Sequence, residues 1–161
     1  MKKVMIIGCP GSGKSTFARA LRDITGLPLF YLDMLYWNAD RTTVSKEEFR
    51  RRLGEVIAKE CWIIDGNYGS TLEMRMEACD TVFFLDYPPE VCLEGVRQRR
   101  GKPREDMPWI EVGEDAEFLQ FIRDYKEVSR PKVLALLEKY ADKTVFVFSS
   151  REDAAEYLAR L

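Results

Sequence analysis

The sequence predicts an α/β fold, a five-stranded parallel sheet flanked by helices. Three observations predict it. Short apolar runs alternate with longer amphipathic stretches along the whole chain, the pattern of βαβ units. A glycine-rich stretch, Gly8 to Ser15, joins the first of these runs to the first amphipathic stretch. The length of 161 residues fits one domain, and 46% hydrophobic content supplies a buried core rather than a disordered chain.

The elements follow in order. Lys3 to Ile7 is a β-branched run that Gly8 ends, and Lys14 to Ile24 is helical, with Phe17, Ala18 and Leu21 at core spacing. Gly26 and Pro28 terminate that helix, and Leu29 to Leu32 reads as the second strand. Ser45 to Lys59 is a helix: Ser45 and Glu48 form a capping box, and Phe49, Leu53, Val56 and Ile57 form its apolar stripe. Cys61 to Ile64 is the third strand, closed by Asp65-Gly66, and Ser70 with Glu73 offers a capping box for a short helix. Thr81 to Leu85 is the fourth strand, and Pro88-Pro89 opens a helix running to about Arg100. The stretch from Gly101 to Asp115 is polar, contains Pro103 and Pro108 and has no period, so a mobile loop is expected. A helical pattern covers about Ala116 to Tyr140 with a break or kink at Pro131; Thr144 to Phe148 is the fifth strand and Glu152 to Leu161 a closing helix.

Composition narrows the function. Lysine and arginine number 25 against 27 aspartates and glutamates, a net charge of −2, which speaks against a dedicated nucleic-acid binder. No apolar run approaches a membrane span and no apolar signal segment follows Met1, so a cytoplasmic protein without a membrane partner is expected. Histidine is absent, which excludes Ser-His-Asp and Cys-His catalysis and His-containing zinc sites. Cys9, Cys61, Cys79 and Cys92 show no C-x-x-C spacing and read as free thiols.

The chemistry is carried first by Gly8-Cys9-Pro10-Gly11-Ser12-Gly13-Lys14-Ser15, which fits G-x-x-x-x-G-K-[ST] without a mismatch and stands between a strand and a helix. Gly8, Gly11 and Gly13 let backbone N–H groups, with Pro10 and Ser12 in the turn, converge on phosphate oxygens, and the helix start adds its positive end. Lys14 carries a full charge to the β- and γ-phosphates, the Ser15 hydroxyl suits Mg²⁺, and Thr16 reaches toward the α-phosphate. The expected fold is therefore that of a P-loop NTPase. No N-K-x-D motif follows, and Asp65 and Asp86 each lack the second acidic residue of a hydrolytic strand end, which favours transfer of phosphate to a bound acceptor over hydrolysis.

The P-loop, Asp65-Gly66 ending a strand, Arg75 one helix later and an arginine-rich segment before a polar loop resemble the adenylate-kinase-like small kinases. More closely, Tyr31-Leu32-Asp33, Trp62-Ile63-Ile64-Asp65-Gly66-Asn67-Tyr68, Phe84-Leu85-Asp86-Tyr87-Pro88 and Arg130-Pro131-Lys132 resemble the bacterial DNA topology modulation (FlaR-type) proteins, over almost the whole chain. The resemblance implies a nucleotide-kinase-like domain over 1–161, with a short acceptor-binding insert at about 33–60 and a lid at about 100–116. It implies that Asp65 serves Mg²⁺, that Arg75 reaches the acceptor or the transferring group, and that Asp33 orients an acceptor hydroxyl and takes its proton or, if the acceptor is a nucleoside monophosphate, positions metal-bound water. Tyr36, Trp37 and Tyr68 lie near the same strand ends, where they would stack on a flat acceptor or simply pack in the core. Arg97, Arg99, Arg100, Lys102 and Arg104 form the densest basic cluster. Arg99 matches the arginine at the base of the lid, whereas helical spacing groups Arg97 with Arg100; any of these would neutralise charge on the phosphoryl oxygens. The chain departs from its relatives at Gly95, where many carry an arginine that packs on the nucleotide base. The implied partners are ATP, Mg²⁺ and a small acceptor, plausibly a nucleotide or a hydroxylated metabolite. Two alternatives stay open: a nucleotide-binding regulator of DNA topology with weak ATPase activity, and a nucleotide binder without turnover.

Overall fold

A computed structural model describes residues 1–113 and 115–161. Its sheet consists of β1 (Lys3–Gly8), β2 (Leu29–Tyr31), β3 (Trp62–Asp65), β4 (Thr81–Leu85) and β5 (Thr144–Phe148), all parallel, in the order β2-β3-β1-β4-β5. The expected five-stranded parallel sheet is therefore present. Met5 pairs with Ile64 and Ile6 with Asp65 on one side of β1, and Ile7 with Phe84 on the other. Because β1 is central and the chain leaves it toward both sides, a crevice opens at its carboxyl end, the usual ligand position in open parallel sheets.

Helices cover both faces, so the strands are apolar on both. Val4, Ile6, Ile63, Phe83 and Leu85 point to one face, where α1 (Lys14–Thr25), α5 (Pro89–Arg99), α6 (Ala116–Val128) and α8 (Arg151–Arg160) pack. Met5, Ile7, Ile64, Val82 and Phe84 point to the other, under α3 (Lys46–Ile57), α4 (Leu72–Ala78) and α7 (Arg130–Lys139). Every side chain of β4 is buried, whereas β5 is an edge strand with Val147 52% exposed. All four cysteines are free. Among the described residues no helix is long and apolar enough to cross a membrane.

Local signals set most boundaries. Gly26 stops α1 in a left-handed conformation with its N–H on the Arg22 carbonyl at 2.8 Å. Ser45 caps α3 by accepting the Glu48 N–H at 3.1 Å. Other boundaries differ from expectation. Leu32 is not in β2 but begins a short helix, α2 (Leu32–Tyr36), which turns Asp33 toward the crevice. Ser70 caps nothing: Gly69–Thr71 is a 3-10 turn that runs into α4. The long C-terminal helical pattern divides at Ser129, with Pro131 in the first turn of α7, where its missing N–H is harmless. A bidentate ion pair from Arg130 to Asp86, at 2.9 Å, ties that break to the end of β4.

The stretch expected to be a mobile loop holds no helix or strand in its described residues, yet it is tied down. The Gly101 N–H donates to the Glu111 carbonyl at 2.6 Å, and Arg104 lies 3.3 Å from the Glu111 carboxylate. Residue 114, within the expected lid, lies outside the described residues.

Candidate active site

The P-loop is braced from two sides. A Cβ on Gly11 would meet the Cys92 carbonyl of α5 at 2.0 Å, and one on Gly95 would meet the Gly11 oxygen at 2.0 Å. Loop and helix therefore touch backbone to backbone, and a side chain at Gly95 has no room. On the other side the Arg151 guanidinium, at the start of α8, donates to the Gly11 oxygen at 3.1 Å. Gly11 and Gly13 have φ of 84° and 98°, a region open to glycine at little cost. Lys14 folds back, its Nζ donating to the Cys9 carbonyl at 3.2 Å. Burial holds the Lys14 pKa below its usual value; Asp65 opposes that shift and Arg99 adds to it. A phosphate at this turn would meet a desolvated ammonium group, which strengthens the attraction.

Asp65, the last residue of β3, is 4% exposed and lies beside Ile6 of the central strand. Its Oδ2 accepts the Ser15 hydroxyl at 2.6 Å, while Oδ1 is buried and receives no donor from any described residue. Burial raises the Asp65 pKa to about 6, against the opposing pull of Lys14 and the Ser15 hydrogen bond. A hydroxyl and a carboxylate with an unused oxygen are hard donors that fit Mg²⁺. The described residues contain no cluster of three acidic, cysteine or histidine side chains able to hold a metal alone.

Two residues beyond Tyr31, which pairs with Asp65, Asp33 Oδ1 accepts the Tyr68 hydroxyl at 2.5 Å. Burial raises the Asp33 pKa, the Tyr68 hydrogen bond restrains the rise, and Asp106 nearby adds to it. Burial and the Asp33 charge push the Tyr68 phenol up, so it stays a donor.

Tyr68 and Asn67 are held in turn by Arg75. That side chain is fully buried, with its guanidinium donating to the carbonyls of Gly66 at 2.9 Å, Asn67 at 3.0 Å and Tyr68 at 3.1 Å, and to the Thr71 hydroxyl at 3.2 Å. Asn67 Oδ1 then accepts the Gly8 N–H at 3.3 Å, which links this loop to the P-loop. Burial presses the Arg75 pKa down to about 9, and it remains charged at neutral pH. Arg75 does not line the cavity, which corrects the expectation that it reaches the acceptor: three loop carbonyls engage it first. Arg75→Ala should lower stability by about 3 kcal/mol or more, since it strands several buried acceptors. In a thermal melt that is a fall of roughly 6–12 °C for a chain of this size; an unchanged melting temperature would show that the loop holds itself.

The stretch expected to be a lid docks on the rest of the molecule. Glu105 accepts hydrogen bonds from the Tyr31 hydroxyl and from Arg22 at 3.0 Å. Trp109 meets Trp37 edge-on at 5.6 Å, and the Arg41 guanidinium lies 4.9 Å over the Trp109 ring. Arg99 ends α5 inside the cavity, half-buried, 3.4 Å from Glu111; burial and the neighbouring Arg104 lower its pKa. Asp106, 6% exposed, lines the same space.

One cavity of about 1160 Å³ collects Pro10, Lys14, Ser15, Asp33, Trp37, Asp65, Tyr68 and Arg99 of the expected residues. Gly8 ends β1, and Gly11, Ser12 and Gly13 lie in the turn that leads from it to Lys14. Other expected residues lie elsewhere. Thr16 is exposed and accepts from Arg19 at 3.3 Å, so no contact in the structure turns it inward. Arg97 is an exposed partner of Glu94 at 3.5 Å, and neither it nor Arg100 lines the cavity. Arg99, near Glu111 at the end of α5, is the arginine of that helix that lines the cavity. The sequence reading missed Asp106, Trp109 and Glu111, which lie in a stretch without period, and the bracing role of Arg151.

No family model matches the chain. The adenylate kinase of Thermotoga maritima is 27% identical over 124 residues, a match that covers 71% of this chain and 54% of that protein. The chain thus spans about half the length of the curated relative it matches. Among solved structures, the shikimate kinase of Acinetobacter baumannii in complex with shikimate has a TM-score of 0.62 at 18% identity, covering 99% of this chain and 92% of that one. A sugar kinase from Janibacter sp. has a TM-score of 0.59 at 20% identity, with 99% and 91% covered. The deoxyadenosine kinase of M. mycoides with bound dATP has a TM-score of 0.57 at 16% identity, with 99% and 98% covered. These likenesses are of fold: the chain has the α/β fold shared by P-loop kinases.

Proposed function

We propose that this protein is a Mg²⁺-dependent phosphotransferase that moves the γ-phosphoryl group of ATP to a hydroxyl of a small acceptor. The observation that carries the reading is the presence, in one cavity, of Lys14 and the Ser15–Asp65 pair together with a second carboxylate, Asp33, whose charge acts on both Lys14 and Asp65. The first set fits a nucleoside triphosphate and the second fits a hydroxyl.

Each residue has a task. The P-loop amides and Lys14 grip the β- and γ-phosphates, and Arg99 neutralises charge spreading over the transferring oxygens. Ser15 and Asp65 would hold Mg²⁺, which supplies charge neutralisation at the phosphates. Asp33, oriented by Tyr68, receives the acceptor proton as the acceptor oxygen bonds to the γ-phosphorus. The bond from that phosphorus to the bridging oxygen breaks, and ADP leaves with the electron pair. The docked lid excludes water, which suppresses hydrolysis.

A coupled assay of ADP release, with and without acceptors, tests the reading. Acceptor-dependent ADP release with Mg²⁺ is expected; tight nucleotide binding with no acceptor raising the rate would sink it. Asp33→Asn should cut kcat by about 100-fold, the usual size of a lost general base, with little change in nucleotide affinity. Only ionised Asp33 takes a proton, and its pKa is raised. The rate should therefore fall with decreasing pH at a value above the ordinary aspartate pKa of about 4. A wild-type rate that stays flat through that region would remove Asp33 from the role.

A further inference from the structure

The acceptor side of the cavity has a particular charge balance. Asp33 and Asp106 both line it. Asp106 is 6% exposed, yet no described residue donates a hydrogen bond to it; its nearest ionic partner, Arg104, is 3.8 Å away. Tyr68 occupies Oδ1 of Asp33, and no described residue donates to Oδ2. Of the deep cations, Arg104 ion-pairs with Glu111 at 3.3 Å and Arg75 is held by loop carbonyls. Arg99, 3.4 Å from Glu111, is the one assigned to the transferring phosphoryl group, and neither its Nε nor Arg104 Nη2 makes a hydrogen bond among the described residues. Arg41 lies on the Trp109 ring, and both it and Lys132 are exposed at the rim.

The remaining wall is aromatic. Tyr36 meets Tyr68 at 4.9 Å and Trp37 at 5.7 Å, and Trp37 meets Trp109 at 5.6 Å. The indole Nε1 of Trp109 is buried without an acceptor among the described residues. Such a wall suits a flat ring bearing polar edge groups. Two carboxylates on the acceptor side, with the cations of the cavity committed to Glu111 or to the triphosphate, disfavour a further phosphate or carboxylate on the acceptor, a form of selection by exclusion.

Building on the kinase reading, we infer that the acceptor is an uncharged, hydroxyl-bearing heteroaromatic compound of nucleoside type, selected by Asp106 and Trp109 of the lid together with Asp33 and Trp37. Asp33 takes the reacting hydroxyl. Asp106 accepts from a second hydroxyl or amino group, and the two indoles contact the ring. An acceptor already carrying a phosphate is rejected by Asp106 and Asp33.

The test measures ADP release by the full chain with ATP and Mg²⁺ across four acceptor sets: nucleosides, their 5′-monophosphates, cyclic hydroxy acids such as shikimate, and simple sugars. A nucleoside should exceed its own monophosphate, the acids and the sugars by at least about 10-fold in kcat/KM, the scale of one unfavourable charged contact. Asp106→Asn should lower the nucleoside-to-monophosphate ratio by about 10-fold; a merely structural role would move both rates together and leave the ratio alone. Trp109→Leu should raise KM for nucleosides more than it lowers kcat. Highest turnover with monophosphates, acids or sugars overturns this inference and leaves the kinase reading standing. No acceptor-dependent release with any set, while ATP still binds, overturns both.

Discussion

Lys14→Met should reduce phosphoryl transfer by about 100- to 1000-fold or more, the scale for losing one preorganised donor at a transition state, while the fold survives. The side chain has one hydrogen-bond partner, the Cys9 carbonyl, and that oxygen also accepts the Ser12 N–H at 3.1 Å. Removing Lys14 therefore leaves no buried acceptor stranded. It also removes a charge that burial disfavours but that offsets the buried Asp65 carboxylate, so the melting temperature without nucleotide should change little. With ATP present the two proteins should diverge, because wild type gains stability from the triphosphate and the variant gains less. Full turnover in the variant would refute the role assigned to the ammonium group.

Gly95→Ala should harm the protein where helix propensity says it should help. Alanine is better than glycine inside a helix by about 1 kcal/mol, and Gly95 is mid-helix in α5. The new Cβ, however, would lie 2.0 Å from the Gly11 oxygen and 3.0 Å from its carbon. Backbone cannot swing aside like a side chain, so α5 or the P-loop must shift. Overpacking of this kind costs roughly 1–3 kcal/mol, and the displaced loop should weaken nucleotide binding further. Gly54 in α3 is the control, because a Cβ there meets nothing within 4 Å. Gly54→Ala should stabilise by about 0.5–1 kcal/mol and leave nucleotide binding alone. Two glycine-to-alanine changes in helices should thus move the melting temperature in opposite directions. If both stabilise, the contact between α5 and the P-loop is looser than described.

These cases mark what the sequence could and could not reveal. The P-loop was legible because its chemistry is local: one strand end, one turn, one helix start. Asp65 and Asp33 were legible because carboxyl ends of parallel strands converge on one edge, so a carboxylate just after a strand falls near its neighbours. Arg75 was not. Periodicity treats arginine as a surface residue, and its burial depends on three carbonyls of a loop whose path only tertiary structure sets. Gly95 read as a missing arginine, whereas its place is a close approach to a turn 84 residues earlier in the chain. In the lid, the basic cluster stood out by composition, but its acidic partners Asp106 and Glu111 carried no pattern. Which arginine faces inward was settled by their pairing rather than by helical spacing.

Trp109 and Asp106 belong at once to the cover of the cavity and to its wall. If these two side chains choose the acceptor as proposed, a substitution at either would also alter the contacts that hold the cover to the wall. Selectivity and throughput would then be coupled at these two positions, and a lineage changing its diet through them would have to rebuild both in the same step.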